Sequence, residues 1–207
     1  MKLRKPKHNP YKIVTLLEEE IADYTGAPYV VSVDSCTNAL FLCCKYLEVK
    51  EVTIPSKTYL SVPQSIINAG GTVKIRDYSW KGIYQLEPHP IYDAAKRFTS
   101  NMYIPGTYMC LSFHHKKTLK IGKGGMILTD NKEAADWFKK CRYEGRDHVA
   151  DDIGICGWNA YMTPEQAARG LTLLQTLSKH NDDQVEEPGY RDLRTMPLFK
   201  NCEVTYE

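Results

Sequence analysis

Short apolar runs alternate with stretches of helical periodicity along most of this chain, and that alternation is the tightest constraint on its fold. Tyr29 to Val33, Glu51 to Ile54, Thr72 to Arg76, Tyr108 to Phe113 and Met126 to Leu128 read as strands. Ile13, Leu17, Ile21 and Tyr24 fall on one helical face, and Gly26 can stop that helix. Ala39 to Leu47, Leu60 to Ala69 and Asn131 to Arg142 read as further helices, the last with Asp130 as its expected cap. Thr163-Pro164-Glu165-Gln166 predicts a helix start with a capping box, running to about Leu177. Asp77 to Glu87 reads as a polar loop carrying Tyr78 and Trp80. Strands alternating with helices predict a three-layer α/β/α sandwich around a mostly parallel mixed sheet. Residues 1–178 would form that domain, and the polar tail of residues 179–207 shows little periodicity.

Composition narrows the class. A net charge of +2, with 43% apolar and 25% charged residues, calls for neither nucleic acid nor an anionic membrane. The basic start, Met1 to Lys7, has no long apolar segment behind it and is not a signal peptide. No run approaches the ~18 apolar residues of a membrane span. The seven cysteines form no Cys-x-x-Cys pair, and several sit inside apolar runs. Buried free thiols in a reducing cytoplasm are expected, rather than disulfides or zinc.

Chemistry concentrates at strand ends. Where the apolar run Tyr108–Phe113 ends and before Met126–Leu128 begins lie two hydroxyls, two imidazoles, four lysines and three glycines: Ser112-Phe113-His114-His115-Lys116-Lys117-Thr118-Leu119-Lys120-Ile121-Gly122-Lys123-Gly124-Gly125. A lysine here is either a surface charge or a covalent catalyst. After the first strand, Asp34-Ser35-Cys36-Thr37-Asn38 leads into a helix. That is an anion-binding geometry or, more simply, a plain N-cap by Ser35 or Thr37. Asp93 follows an apolar run and precedes small residues that allow close approach, and an N-cap is equally open to it. Strand ends of an open α/β sheet converge on one crevice. Together these residues meet the four demands of pyridoxal 5′-phosphate. Its phosphate takes a helix N-terminus and hydroxyls (Ser35 to Asn38, Ser112), and its ring takes an aromatic partner (Tyr59). Its ring nitrogen takes a buried carboxylate (Asp93), and its aldehyde takes an amine (Lys117).

Four separated motifs resemble the DegT/DnrJ/EryC1/StrS sugar aminotransferases, pyridoxal-phosphate enzymes of the aspartate aminotransferase fold. Ser35-Cys36-Thr37-Asn38-Ala39-Leu40 resembles the family's phosphate turn, placing Cys36 and Thr37 against the cofactor. Pro55-Ser56-Lys57-Thr58-Tyr59 resembles the segment whose aromatic ring stacks on it. Tyr92-Asp93-Ala94-Ala95 resembles the motif whose Asp pairs with the pyridine nitrogen. Ser112-Phe113-His114 with Lys117, Leu119, Gly122, Gly124 and Gly125 resembles the lysine signature. The match implies that Lys117, not Lys116, forms the Schiff base and that Ser112 contacts the phosphate. A fifth segment, Gly157-Trp158-Asn159, implies that Asn159 reaches the phosphate of a neighbouring subunit, hence a homodimer.

The chain departs from the family pattern at several positions. Cys36 replaces a Gly, Tyr92 a Glu, Lys123 an acid and Tyr161 an Arg. Lys96 stands near the expected phenolic oxygen, where a second cation favours the phenolate. The small C-terminal domain of the family would be missing, or reduced to the tail from Lys179.

The resemblance implies a cytoplasmic aminotransferase that takes a nucleotide-linked keto-sugar, with glutamate as amino donor. A shortened homologue that binds cofactor without efficient turnover is a second reading. A sugar dehydratase would replace the lysine by His, and Lys117 is intact. A metal site at His114 and His115 is disfavoured if they lie on a strand, where neighbours point to opposite faces.

Overall fold

The computed structural model describes residues 9–146, 153–185, 189–200 and 202; the basic arm Met1–Lys7 lies outside them. Five α-helices and seven strands are present among the described residues: α1 (Lys12–Thr25), β1 (Tyr29–Val33), α2 (Cys36–Tyr46), β2 (Glu51–Pro55), α3 (Ser61–Asn68), β3 (Thr72–Arg76), β4 (Tyr84–Gln85), β5 (Ile91–Asp93), β6 (Tyr108–Ser112), β7 (Gly125–Thr129), α4 (Lys132–Cys141) and α5 (Pro164–Leu174), followed by two short 3-10 helices, Leu193–Thr195 and Pro197–Phe199. None of the helices is long and apolar enough to cross a membrane.

The main sheet has the order β1-β7-β6-β5-β4, and β2 pairs with β3 separately. Backbone bonds between Thr53 and Glu87, 2.8 and 3.1 Å, join the two. The expected mostly parallel sheet is corrected here. Only β5–β6 and β2–β3 run parallel; β1–β7, β6–β7 and β4–β5 are antiparallel. The connections explain this. β2 reaches β3 through a helix, which allows a parallel return, whereas the segment 113–124 between β6 and β7 contains no helix and simply folds back. β4 and β5 are likewise joined by a tight turn, closed by His89 N–H donating to the Leu86 carbonyl at 2.9 Å.

Both faces of the sheet are covered, which is why its strands are apolar on successive residues. Val31, Val33, Cys110 and Ile127 pack toward α2 and α4. Val30, Met109, Leu111, Met126 and Leu128 pack on the opposite face, with Leu17 and Ile21 of α1 and Ala167 of α5. The three-layer arrangement thus stands.

Helix ends follow the local chemistry. The Thr163 hydroxyl accepts from Gln166 N–H while the Gln166 side chain accepts from Thr163 N–H, completing the capping box. Asn131, not Asp130, caps α4 by accepting from Ala134 N–H at 3.0 Å. Asp130 instead accepts from Gly106 N–H at 2.7 Å. One residue of register decides between them, because a cap must accept from a first-turn N–H.

A buried ion pair ties three elements together. Arg142, just past α4, donates to Glu18 of α1 and to the Ser32 carbonyl and hydroxyl of β1. All seven cysteines are free; Cys43, Cys44, Cys110 and Cys141 are buried, whereas Cys156 is exposed. The expectation of buried thiols therefore fails at Cys156, which lies in the polar loop before α5 rather than in an apolar run.

The tail does not hang free. Ser100 N–H donates to the Lys179 carbonyl (2.9 Å), Gln184 N–H to the Lys96 carbonyl (2.8 Å) and Leu193 N–H to the Ser56 carbonyl (2.9 Å). Arg97 holds Asp183 through two bonds of 2.8 and 2.7 Å. Leu193 and Phe199 are buried in the same core as β2 and α3.

Candidate active site

The C-terminal ends of β1, β2, β5 and β6 open into one cleft of about 770 Å³, within the ~300–1,000 Å³ of typical small-molecule sites. Cys36, Thr37, Tyr59, Asp93, Lys96, Ser112 and Lys117 all line it. Asn159 does not; it is exposed, and its side-chain amide donates to Glu144 at 2.9 Å.

One end of the cleft is built by the first turn of α2. Ser35 is the cap, accepting from Asn38 N–H at 3.2 Å, as the plain N-cap reading expects, and the same first turn lines the cleft. Thr37 Oγ1 lies 2.8 Å from Ser61 Oγ, placing a second hydroxyl pair beside that turn. Ser112 ends β6 on the same wall. Gly125 lets β7 approach: a Cβ there would sit 2.5 Å from the Cys36 nitrogen and the Ser35 carbonyl carbon. Burial pushes the Cys36 thiol well above its usual range, with the Asp93 carboxylate adding to the effect, so Cys36 is a neutral wall of the turn.

Lys117 is presented by a pinched loop. Phe113 N–H donates to the Gly124 carbonyl and Gly122 N–H to the Phe113 carbonyl, both at 2.9 Å. Gly122 and Gly124 have φ of 116° and 142°, which a side chain rarely tolerates. Buried Leu119 and Ile121 anchor the far side of the loop in the α1–α5 core. Lys117 N–H closes a turn onto the His114 carbonyl at 2.8 Å. The four lysines therefore diverge: Lys117 is half-buried, whereas Lys116, Lys120 and Lys123 are exposed. Lys116 and Lys123 still line the cleft, and Lys123 reaches Asp34 at 3.4 Å. His114 and His115 lie past the strand, in the turn, so the opposite-face argument does not apply; their rings approach to 3.9 Å. No third His, Cys, Asp or Glu joins them among the described residues.

Asp93 closes the other end, at the end of β5, 5% exposed. Its Oδ1 accepts from Ala95 N–H and its Oδ2 from the Tyr84 hydroxyl, each at 2.9 Å. Burial raises its carboxyl above the usual value, opposed by those donors and by Lys117 and Lys96. Asp93 is the sole carboxylate among the described lining residues, against Lys96, Lys116, Lys117, Lys123 and Arg191. Such a cleft attracts anions.

The sequence reading missed the residues that close the cleft from outside. Tyr190 and Arg191 of the tail line it. Tyr190 stacks on Trp80 (6.1 Å, 15°), meets the half-exposed Tyr59 edge-on at 6.3 Å, and has Lys96 Nζ 5.3 Å from its centroid. Trp80 stood out as an aromatic in a polar loop; nothing marked Tyr190.

A model of the DegT/DnrJ/EryC1/StrS aminotransferase family matches residues 4–105 and 104–190. The chain belongs to that family. It is 26% identical over 226 aligned positions to the spore coat polysaccharide biosynthesis protein SpsC of Bacillus subtilis, covering 86% of this chain and 52% of that protein. It is 24% identical to the GDP-perosamine synthase of Caulobacter vibrioides, covering 82% of this chain and 58% of that one. The chain thus spans little more than half the length of the curated relatives it matches. Among solved structures, a DegT/DnrJ/EryC1/StrS aminotransferase from Brucella abortus superposes with a TM-score of 0.78 at 16% identity, over 93% of this chain and 80% of that one. DesV of S. venezuelae superposes with a TM-score of 0.67 at 20% identity, over 84% of this chain and 57% of that one. The fold is that of pyridoxal-phosphate-dependent aminotransferases, and membership of the family indicates pyridoxal 5′-phosphate as the cofactor.

The residues present fit that group. A helix N-terminus, hydroxyls, a buried carboxylate and a half-buried amine line a single cleft.

Proposed function

We propose that this chain forms the cofactor site of an aminotransferase acting on a nucleotide-linked keto-sugar in amino-sugar synthesis, with glutamate as amino donor. The observation that carries the reading is the convergence of Lys117, Asp93, Tyr59, Ser112 and the α2 first turn on one cleft. Ser35, Thr37 and Ser112 would hold the phosphate, with Cys36 as apolar wall. Tyr59 would cover the ring face, and Asp93 would keep the ring nitrogen protonated. Lys96 would sit by the phenolic oxygen. Lys117 Nζ would hold the aldehyde carbon covalently and, once the donor's amine displaces it, would serve as base for the proton on the donor's Cα. The cofactor, when bound, supplies an electron sink for the carbon that loses that proton.

The excess of lysine and arginine around the cleft suits a substrate carrying a diphosphate. Asn159, outside its own cleft and bonded to Glu144 within its own chain, would turn to a partner subunit's phosphate in a homodimer. Free thiols and a nucleotide-linked substrate would suit an enzyme working in the cytoplasm.

The test is reconstitution. Added pyridoxal phosphate should give a visible absorbance band that Lys117→Ala abolishes, and glutamate should discharge it with about one 2-oxoglutarate per site. Absence of the band in the wild-type chain would overturn the reading. A band that glutamate leaves unchanged would favour a cofactor-binding homologue without efficient turnover.

A further inference from the structure

Two buried hydroxyls stand behind Asp93 in a line. In the β4–β5 pair Tyr84 lies directly opposite Asp93, so both side chains project from the same face of the sheet. Each is 5% exposed. The Tyr84 hydroxyl donates to Asp93 Oδ2 at 2.9 Å, and Thr58 Oγ1 lies 2.7 Å from the same hydroxyl. A phenol that gives its proton to a carboxylate has only lone pairs left. Thr58 must therefore donate to Tyr84, and the chain runs Thr58, Tyr84, Asp93. Trp80 holds the Tyr84 ring in place from its side, 4.6 Å between centroids at 55°. Trp80 is itself fixed by a bond of 2.9 Å from its indole N–H to the Lys57 carbonyl.

We propose that Tyr84, backed by Thr58, is the positioning residue that holds Asp93 ionised and aimed at the cofactor's ring nitrogen. This rests on the role given to Asp93 above. Geometry supplies the aim: Oδ1 is fixed by Ala95 N–H and Oδ2 by Tyr84, so the carboxylate cannot rotate away from the cleft it lines. The ionisation needs that help, since burial alone drives Asp93 toward its neutral form. Tyr84 is pushed well above the usual phenol range by burial, then by Asp93, so it stays a donor. Neither residue was marked by the chemistry of the lysine loop. Tyr84 lies in a stretch that reads as loop, and it acts only because two residues of pairing place it opposite Asp93.

The test is a cycle of two ligands and two variants on the full chain. The ligands are pyridoxal 5′-phosphate and its 1-deaza analogue, in which a C–H replaces the ring nitrogen. Wild type should prefer the natural cofactor. Tyr84→Phe should lose roughly 10- to 100-fold in affinity for the cofactor, the range of one hydrogen bond to a charged group, and little for the analogue. Thr58→Val, which leaves the phenol in place, should fall between, and carries the test should Tyr84→Phe fail to fold. Equal weakening of both ligands would reduce Tyr84 to a packing residue and overturn the proposal, as would undiminished discrimination. If wild type binds the cofactor but does not discriminate, the role of Asp93 falls first and this inference with it. If wild type binds neither ligand, the cofactor assignment itself falls.

Discussion

Asp93 shows at the scale of one residue how a site is held against its own stability. Its folded-state carboxyl lies above the ordinary value of 3.8 because burial outweighs the donors around it. The folded apo chain then binds this proton more tightly than the unfolded chain does. Stability accordingly falls as pH rises through the window that starts at 3.8, and the loss persists at neutral pH. Asp93→Asn should remove that slope. Its apo form should melt a few degrees higher at neutral pH, while affinity for pyridoxal phosphate drops at least about tenfold. Thermal melts of the apo proteins across pH, with cofactor titrations, check both halves. Some of this was legible in the sequence, because a lone Asp after an apolar run is visible. Its two donors were not: one is a backbone N–H, and the other comes from a strand too short to carry a period.

Elements show the same division. Long periodic stretches such as α1 and the capping-box helix α5 read correctly, because several residues vote for each. β4 did not, because its two residues are a strand only through their partner. The mostly parallel sheet failed for a related reason: strand direction depends on how connections pack, and the 113–124 loop carries polar chemistry that does not announce its route. The tail is the least legible element, since its order comes from other segments. Asp183 is held below its ordinary 3.8 by Arg97, so it binds a proton less tightly in the folded state. That contribution is complete above 3.8 and lost as pH falls below it. Asp183→Asn should cost about 1 kcal/mol, flatten the acid side of the stability profile, and speed tryptic cleavage after Lys179 and Arg191 at neutral pH. Urea midpoints across pH and timed digests check this. Gly82→Ala should behave similarly, because its Cβ would lie 2.1 Å from the Asp183 carboxyl carbon.

For the molecule as a whole, the issue is how many chains make one site. Asn159 belongs to the matched family segment yet sits outside its own cleft, 2.9 Å from Glu144. If it serves a partner, Lys117→Ala and Asn159→Ala chains should each be impaired alone. Mixed after unfolding and refolding together, they should recover about a quarter of wild-type sites, the share that random pairing into twofold dimers leaves intact. Transamination rates or cofactor absorbance on the mixture check the count. No recovery, with both variants folded, would place Asn159 outside the site. The sequence marked Asn159 through its motif alone; no contact within one chain identifies its role.

The way Phe199 and Leu193 complete the core also sets an order of assembly during synthesis. The face of the sheet that holds α1 can close once α5 has been made, because its buried residues end with Ala167. The opposite face, on which α2 packs, waits for Leu193 and Phe199. A ribosome therefore delivers the lysine loop, the carboxylate and the anion turn well before the layer behind them is filled. The cleft matures late: Tyr190, Arg191 and Met196, its last lining residues among those described, leave the ribosome together with Leu193 and Phe199.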